Sequence, residues 1–256
     1  MKFWPIIACK ENKNTKARKH LCFCVLRPKA VCFSVFARLK SLSFIFYSMY
    51  FLDLLGTLAF AIGGAYKAKA RKLNIFGVIF LGTITAVGGG TVRDLIIGRT
   101  PLFYLRDPNY LAVCLIAGLA TYLLPAFFKR RYSIFRFIDS IGLATFAIIG
   151  VSINFNHLFP GLHLPNIISA LSCIFLGMLT GVGGGILRDS IMGDTPFALK
   201  KGSNYVASAF WGATLFYFLM FWNNLLAVLV SMAVTLILRE VVSSYGLYKK
   251  MILKKL

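Results

Sequence analysis

Apolar residues run along this chain in long blocks, with charge gathered in short clusters between them. Seven blocks stand out, at about 50–66, 74–98, 109–128, 137–154, 165–193, 204–221 and 224–242. Most approach the ~20 residues that a helix needs to cross ~30 Å of hydrocarbon. Backbone groups in lipid must be satisfied within the segment, which makes each block a helix. Lys129-Arg130-Arg131 separates the third block from the fourth. The pattern predicts an all-α polytopic membrane protein with seven transmembrane helices.

The blocks repeat. Residues 80–101 and 175–196 share 14 of 22 positions. The shared frame includes Gly88-Gly89-Gly90, Arg93-Asp94, Gly98 and Thr100-Pro101, against Gly183-Gly184-Gly185, Arg188-Asp189, Gly193 and Thr195-Pro196. Upstream, Asp53, Gly56 and Phe60 correspond to Asp139, Gly142 and Phe146; downstream, Asn109-Tyr110 corresponds to Asn204-Tyr205. The second copy carries a longer first loop, near His157 to Pro165. Each copy holds three spans, 53–128 and 139–222. Three is odd, so the second copy enters the membrane from the opposite face, and the two form an inverted repeat whose site is expected near the midplane. Span seven has no counterpart and reads as an added wall or an oligomer contact. The expected organisation is a basic extension (1–48), a first repeat (49–128), a second, inverted repeat (129–222), and a seventh helix with a basic tail (223–256).

The glycine triplets concentrate the chemistry. Each glycine costs about 1 kcal/mol against alanine inside a helix. Three in a row predict a kink or an unwound turn that bares carbonyls on one side and N–H groups on the other. Arg93 shares a face with Gly89 and Gly90, and Asp94 lies about 100° around from it. A charge at the bilayer centre costs ~2.5–3.5 kcal/mol on the insertion scale. Arg93, Asp94, Arg188 and Asp189 must therefore pair, cross-pair as Arg93 with Asp189 and Arg188 with Asp94, or meet water in a path. Asp53 and Asp139 stand near the expected starts of spans one and four. Carboxylates favour helix N-termini; attraction of cations is the alternative. Lys67 and Lys69 end span one and are expected to snorkel to the surface. His157 and His163 lack nearby acidic or thiol ligands, so no metal site is expected beyond transient potassium, and no cofactor.

Composition agrees with a membrane protein. Hydrophobic residues make up 58% and charged residues 14%, well below the ~25% charged of soluble domains. The net charge of +21 sits between spans and at the ends, with no basic stripe for nucleic acid. Lys67, Lys69, Arg71 and Lys72, then Lys129, Arg130, Arg131 and Arg136, then Lys200 and Lys201, then Lys249, Lys250, Lys254 and Lys255 all fall on one side if the spans alternate. The positive-inside rule puts that side, and the C-terminus, in the cytoplasm, with the start of helix one outside. Residues 1–48 break the rule: they carry ten Lys or Arg with Glu11 as the one acid. Met49 immediately precedes span one, so an over-extended start is the simplest account and a targeting segment the next. A zinc site on Cys22, Cys24, Cys32 and His20 matches no standard spacing, and Cys9 stands apart.

One soluble look-alike fails. The Gly-Gly-Gly-x-x-Arg-Asp string resembles the nucleotide-binding start of tRNA nucleotidyltransferases and poly(A) polymerases. The magnesium-holding acids of that group fall here on Phe103 and Leu105, and on Ala198 and Lys200. No two-metal site results, no other catalytic motif is present, and the chain is not expected to be an enzyme.

The full combination is two inverted triplets of spans, each with Asp-x-x-Gly at its start and Gly-Gly-Gly-x-x-Arg-Asp in its second span. It resembles the prokaryotic trimeric intracellular cation channels, a group that also takes in proteins described as glycine transporters. The resemblance covers about 50–242. It implies a homotrimer in the cell membrane with one pore per subunit. It implies that Gly88, Gly89, Gly90, Gly183, Gly184 and Gly185 kink two pore-lining helices around a potassium-permeable path, with Arg93, Asp94, Arg188 and Asp189 adjoining. Partners implied are other copies of the chain, membrane lipid, and a monovalent cation or glycine as permeant. The lysine-bearing lipid motif of animal members has no match. A channel, a small-zwitterion transporter and a purely structural scaffold all remain open on the residues alone. N-terminal sequencing of the purified protein is expected to begin at Met49; a chain that begins at Met1 overturns the over-extended start.

Overall fold

The computed structural model describes residues 28–124, 132–162, 164–200 and 204–253. Cys9, Cys22, Cys24, His20, the Lys129-Arg130-Arg131 break, His163, Lys201, Lys254 and Lys255 lie outside the described residues. The chain divides into two compact units, Met1–Phe44 and Ile45–Leu256. The second unit holds both repeats and the helix beyond them.

The described residues are helical, with short connections and no strand. Helix α1 covers Pro28–Ala70, α2 Ile75–Ile96, α3 Phe103–Arg106, α4 Asn109–Leu123, α5 Tyr132–Leu158, α6 Ile167–Ile191, α7 Tyr205–Leu219 and α8 Asn224–Leu253; a single 3-10 turn, Phe197–Leu199, precedes α7. Among the described residues, four stretches are long and apolar enough to cross a membrane: Met49–Ala70, Ile75–Ile96, Phe135–Leu158 and Ile167–Ile191. α4 and α7 are apolar but have only 15 residues each, about 22 Å of helix. Both are shorter than the blocks that predicted them. Large apolar side chains face outward along these helices, including Phe76 at 79% and Phe80 at 62% exposure, as a lipid-facing surface requires.

Helix ends follow local chemistry. The Asn74 side chain accepts from the Gly77 N–H at the start of α2, and Asn166 accepts from the Ile168 N–H at the start of α6. Both helices stop in the same way. Gly98 and Gly193 take φ of 69°, and the next N–H turns back, from Arg99 to the Asp94 carbonyl and from Asp194 to the Asp189 carbonyl. This is the six-to-one closure that glycine permits at a helix C-terminus.

The inverted repeat is visible in the packing. Gly64 fits against Thr85 and the Leu81 carbonyl, and Gly150 against Thr180 and Gly177. Gly82 abuts the Ala61 carbonyl and Gly177 the Ala147 carbonyl. Each of these pairs maps onto the other under the sequence correspondence. Thr85 and Thr180, both fully buried, return their hydroxyls to the Leu81 and Leu176 carbonyls at 2.6 Å.

The expected unwinding at the triplets does not occur. α2 runs without interruption through Gly88, Gly89 and Gly90, and α6 through Gly183, Gly184 and Gly185. All six glycines are buried. A Cβ on Gly89 would fall onto the Thr180 carbonyl oxygen, and one on Gly184 onto the Thr85 carbonyl oxygen. Gly183 would meet the Gly89 Cα at 3.3 Å. The missing side chains are thus used for close helix crossing, and the main chain keeps its helical hydrogen bonds.

Alanine in an ordinary helix is more favourable than glycine by about 1 kcal/mol. At Gly89 the sign reverses, because the obstacle is a backbone oxygen on another helix and cannot swing aside. Gly89→Ala is expected to destabilise by about 1–3 kcal/mol, read as a lower melting temperature of the detergent-purified protein. An unchanged or raised melting temperature would contradict the tight crossing.

Candidate functional site

The two Arg-Asp pairs lie one helical turn beyond the crossing, Arg93 four residues past Gly89 and Arg188 four past Gly184. All four side chains are buried. The expected cross-pairing of Arg93 with Asp189 and Arg188 with Asp94 is not found. Arg93 bonds Asp94 on its own helix, through Nε at 2.9 Å and Nη2 at 2.8 Å. Arg188 Nε bonds Asp189 at 2.8 Å. The antiparallel crossing sends the two pairs to opposite ends of the repeat, so each finds its counter-charge locally.

The second pair is the centre of a longer chain of charges. Arg188 Nη1 reaches Asp139 Oδ1 at 2.8 Å, and Asp139 Oδ2 takes Arg239 Nη2 at 2.6 Å. In the other direction, Lys67 Nζ lies 2.8 Å from both Asp189 Oδ1 and Asp194 Oδ2, and Arg71 pairs with Asp194. The order Arg239, Asp139, Arg188, Asp189, Lys67, Asp194, Arg71 alternates in sign throughout. It begins on buried Arg239 of α8 and ends on Arg71, whose side chain is 54% exposed. The Phe197 N–H also donates to Asp189 Oδ2 at 2.8 Å. Flanking contacts join α5 to α8: Arg136 to Glu240 at 2.7 Å and the Ser140 hydroxyl to Glu240 at 2.9 Å.

The first repeat is built more sparsely. Asp53 Oδ2 accepts from the Tyr110 hydroxyl at 2.7 Å. Arg93 stacks over Phe103, 5.9 Å from the ring centroid, and Phe103 in turn covers Gly90. Arg99 approaches Asp94 at 3.8 Å, while Asp94 Oδ2 has no hydrogen-bond partner.

Three expectations change here. Asp53 and Asp139 do not cap helix starts, since α1 begins at Pro28 and α5 at Tyr132; they are interior residues held by Tyr110 and by two arginines. Lys67 and Lys69 do not snorkel free. Lys67 bridges two carboxylates, and Lys69 donates to the Thr121 and Tyr122 carbonyls near the end of α4, where unsatisfied carbonyls collect. Helix α8 is more than a wall, because Arg239 completes the coordination of Asp139, stacks 4.0 Å from the Tyr205 ring centroid and lies beside Glu240. Sequence reasoning missed Arg239 and Glu240, although two adjacent charges in an apolar block were a visible signal. His157 meets the Ile97 carbonyl at 3.2 Å, and no cluster able to hold a metal occurs among the described residues.

The charge chain lines a cavity of about 470 Å³. Lys67 and Arg71 form one wall, Asp189 and Asp194 another, with Asp139 and Arg239 deeper in. The Arg188 guanidinium, also in the lining, stands 3.7 Å from where a Cβ on Gly185 would lie, so the inner end of the cavity is bounded by a residue that packs beside the second triplet. Outside the spans, Asp194 is held below the usual carboxylate range, first by its hydrogen bond from Lys67 and then by the charges of Lys67 and Arg71. A lowered carboxylate pKa means that this pairing is complete above the ordinary carboxylate value of about 4 and lost as pH falls through the lowered one. The bridge is therefore intact at neutral pH.

A lipid-facing helical bundle with buried charge, two opposed copies of one unit and a polar cavity lined by the buried charges defines a multi-pass membrane permeation protein. Comparison with known proteins agrees. A family profile described as glycine transporter matches residues 50–126 and 136–221, one match on each repeat, and the chain belongs to that family. A UPF0126 membrane protein of Deinococcus radiodurans is 40% identical over 164 residues, which is 63% of this chain and 71% of that protein. The UPF0126 inner membrane protein YadS of Escherichia coli K12 is 37% identical over 153 residues, 59% of this chain and 70% of that one. The crystal structure of the TRIC trimeric intracellular cation channel orthologue from Rhodobacter sphaeroides superposes with a TM-score of 0.70 at 31% identity, covering 78% of this chain and 98% of that chain.

Asp139→Asn is expected to cost about 3–5 kcal/mol, because it leaves two buried arginines without their shared carboxylate. Asp53→Asn should cost only about 1 kcal/mol, since an amide oxygen still accepts from Tyr110. Thermal melts of the two variants test this difference, and equal losses would contradict it.

Proposed function

We propose that this chain is a potassium-permeable cation channel of the cell membrane, assembled as a homotrimer with one path per subunit. The observation that carries this reading is the charged cavity that enters an apolar bundle from exposed Arg71 and runs inward to buried Asp139, Arg188 and Arg239, with Arg188 one helical turn past the glycine crossing of α2 and α6. Ionisable side chains inside membrane spans are costly and characteristically mark substrate or ion pathways, which favours a path over a scaffold. The Rhodobacter sphaeroides relative is described as a trimeric cation channel, which supports both the permeant class and the assembly. In this arrangement the path is closed at the crossing. Gly88, Gly89, Gly90, Gly183, Gly184 and Gly185 form its narrowest stretch, and α2 and α6 must separate there for an ion to pass. The positive-inside pattern puts the cavity, with Lys67, Arg71, Arg136 and Lys200 around it, on the cytoplasmic side.

A second reading is favoured by the family's description and by the mixed charge of the cavity wall. A small zwitterion such as glycine would set its carboxylate against Lys67 or Arg71 and its ammonium against Asp189 or Asp194. Transport would then require alternating access about the same crossing.

Purified protein in liposomes separates the two. Potassium flux and labelled glycine uptake are measured on one preparation. Large single-channel potassium currents with no glycine uptake are expected. Saturable glycine uptake without current would replace the channel by the transporter, and neither signal would overturn both.

A further inference from the structure

The two ends of the inverted repeat are closed differently. On the cavity side, Lys67 of α1 in the first repeat binds Asp189 of α6 and Asp194 of the following turn, both in the second repeat. The position that corresponds to Lys67 in the second copy is Ile153, and the position that corresponds to Asp194 in the first copy is Arg99. Neither can rebuild the bridge. Arg99 approaches Asp94 within its own repeat, and among the described residues the second repeat reaches the end of α2 through a His157 bond to the Ile97 carbonyl, with no ion pair between the repeats there. One face is therefore strapped between repeats by charge, and the other is not.

From this asymmetry we infer that Lys67 is the conductance-determining residue of the cavity, a tethered ammonium that straps the repeats together and holds the position a permeating cation must take. The inference rests on the permeation function proposed for this same cavity. Three observations carry it. Lys67 Nζ sits 2.8 Å from oxygens of both carboxylates, the spacing at which oxygen ligands also meet a dehydrated monovalent cation of potassium's size. Lys67, Asp189 and Asp194 all line the cavity, so the bridge borders the space that a permeating cation would enter. The Lys67 side chain is 23% exposed, as is that of Asp194, so water reaches the bridge and can stabilise its parted state, whereas the deeper Asp139 pairs are 3–5% exposed and have no such alternative. The outer link is the one that opens. The inner links hold the bundle.

Charge alone and a strap make opposite predictions, which decides the experiment. Lys67→Gln removes a positive charge from the cavity and breaks the bridge. Asp194→Asn removes a negative charge and also weakens the bridge. If Lys67 acts only by repelling cations, Lys67→Gln raises potassium flux into liposomes and Asp194→Asn lowers it. A strap predicts that both variants raise flux several-fold over the wild type. Lys200→Gln, which removes a cavity-wall charge outside the ion-pair chain, serves as the charge control and is expected to change flux little. Each variant is accepted only as a monodisperse protein with a wild-type elution profile. Asp194 lies in a partly exposed turn, so its variant keeps the test available if Lys67→Gln does not fold. Flux in the wild type with no increase in Asp194→Asn overturns the strap and leaves the channel reading intact. Absence of potassium flux from the wild type and from every variant overturns both.

Discussion

Two backbones touch where side chains would normally keep them apart, and the rest of this bundle is arranged around that contact. Gly89 rests on the Thr180 carbonyl and Gly184 on the Thr85 carbonyl. As α2 advances from residue 85 to 89, its partner in contact moves back along α6 from 184 to 180, so the helices cross in opposite directions. Opposite directions then place Arg93 and Arg188, each one turn past its own glycine, at opposite ends of the crossing. The location of the buried charges, the failure of the two pairs to exchange partners and the position of the cavity all follow from this one approach of main chain to main chain. Three adjacent glycines are required because a Cβ would obstruct the contact at several successive positions: at Gly88 it would meet Leu187, at Gly90 Phe103 and at Gly185 the Tyr205 hydroxyl.

A pair of related units need not give a symmetric molecule. The first copy gives Asp53 a hydrogen bond from a phenol, and the second surrounds Asp139 with two guanidinium groups. The difference comes from α8, which has no counterpart and inserts Arg239 over the ring of Tyr205, the residue that matches Tyr110. That added cation would be uncompensated on its own. Alternation of sign along the chain from Arg239 to Arg71 disperses it outward to solvent, so no member is left with an unpaired charge in the apolar interior. The second copy thereby becomes the wetter and more strongly held end.

Much of this was legible in the residues. Lengths of apolar blocks marked the helices, and glycines, charges and prolines in register showed two copies with an odd number of spans each. What the residues did not reveal was the use made of the triplets. Propensity alone treats Gly88, Gly89 and Gly90 as a weak point, whereas tertiary contact converts the same absence of side chains into a close crossing of main chain on main chain. Pair identity was equally hidden. Arg93 and Asp189 are plausible partners by charge, and only the antiparallel geometry separates them. Lys67 looked like a surface anchor because it ends a span, and its carboxylate partners lie far along the chain in the other repeat. Arg239 was passed over because α8 matched nothing, which is the very property that makes the two ends differ.

The crossing and the charge chain together set what it would cost to part the two copies. At Gly89 and Gly184 backbone meets backbone, and both helices run unbroken through the contact. Parting the helices therefore breaks packing but exposes no broken main-chain bonds, and its cost is confined to contact area and to any ion pair that spans the divide. Most members of the charge chain join elements of the second copy or α8 and travel with them as a unit. The links that cross from one copy to the other are those made by Lys67 and Arg71 at the solvated mouth, where water can replace a partner at small cost. The strong electrostatics hold each half together, and the weak electrostatics hold the halves to each other, which is the distribution that a bundle needs if it is to open along the seam between its two copies.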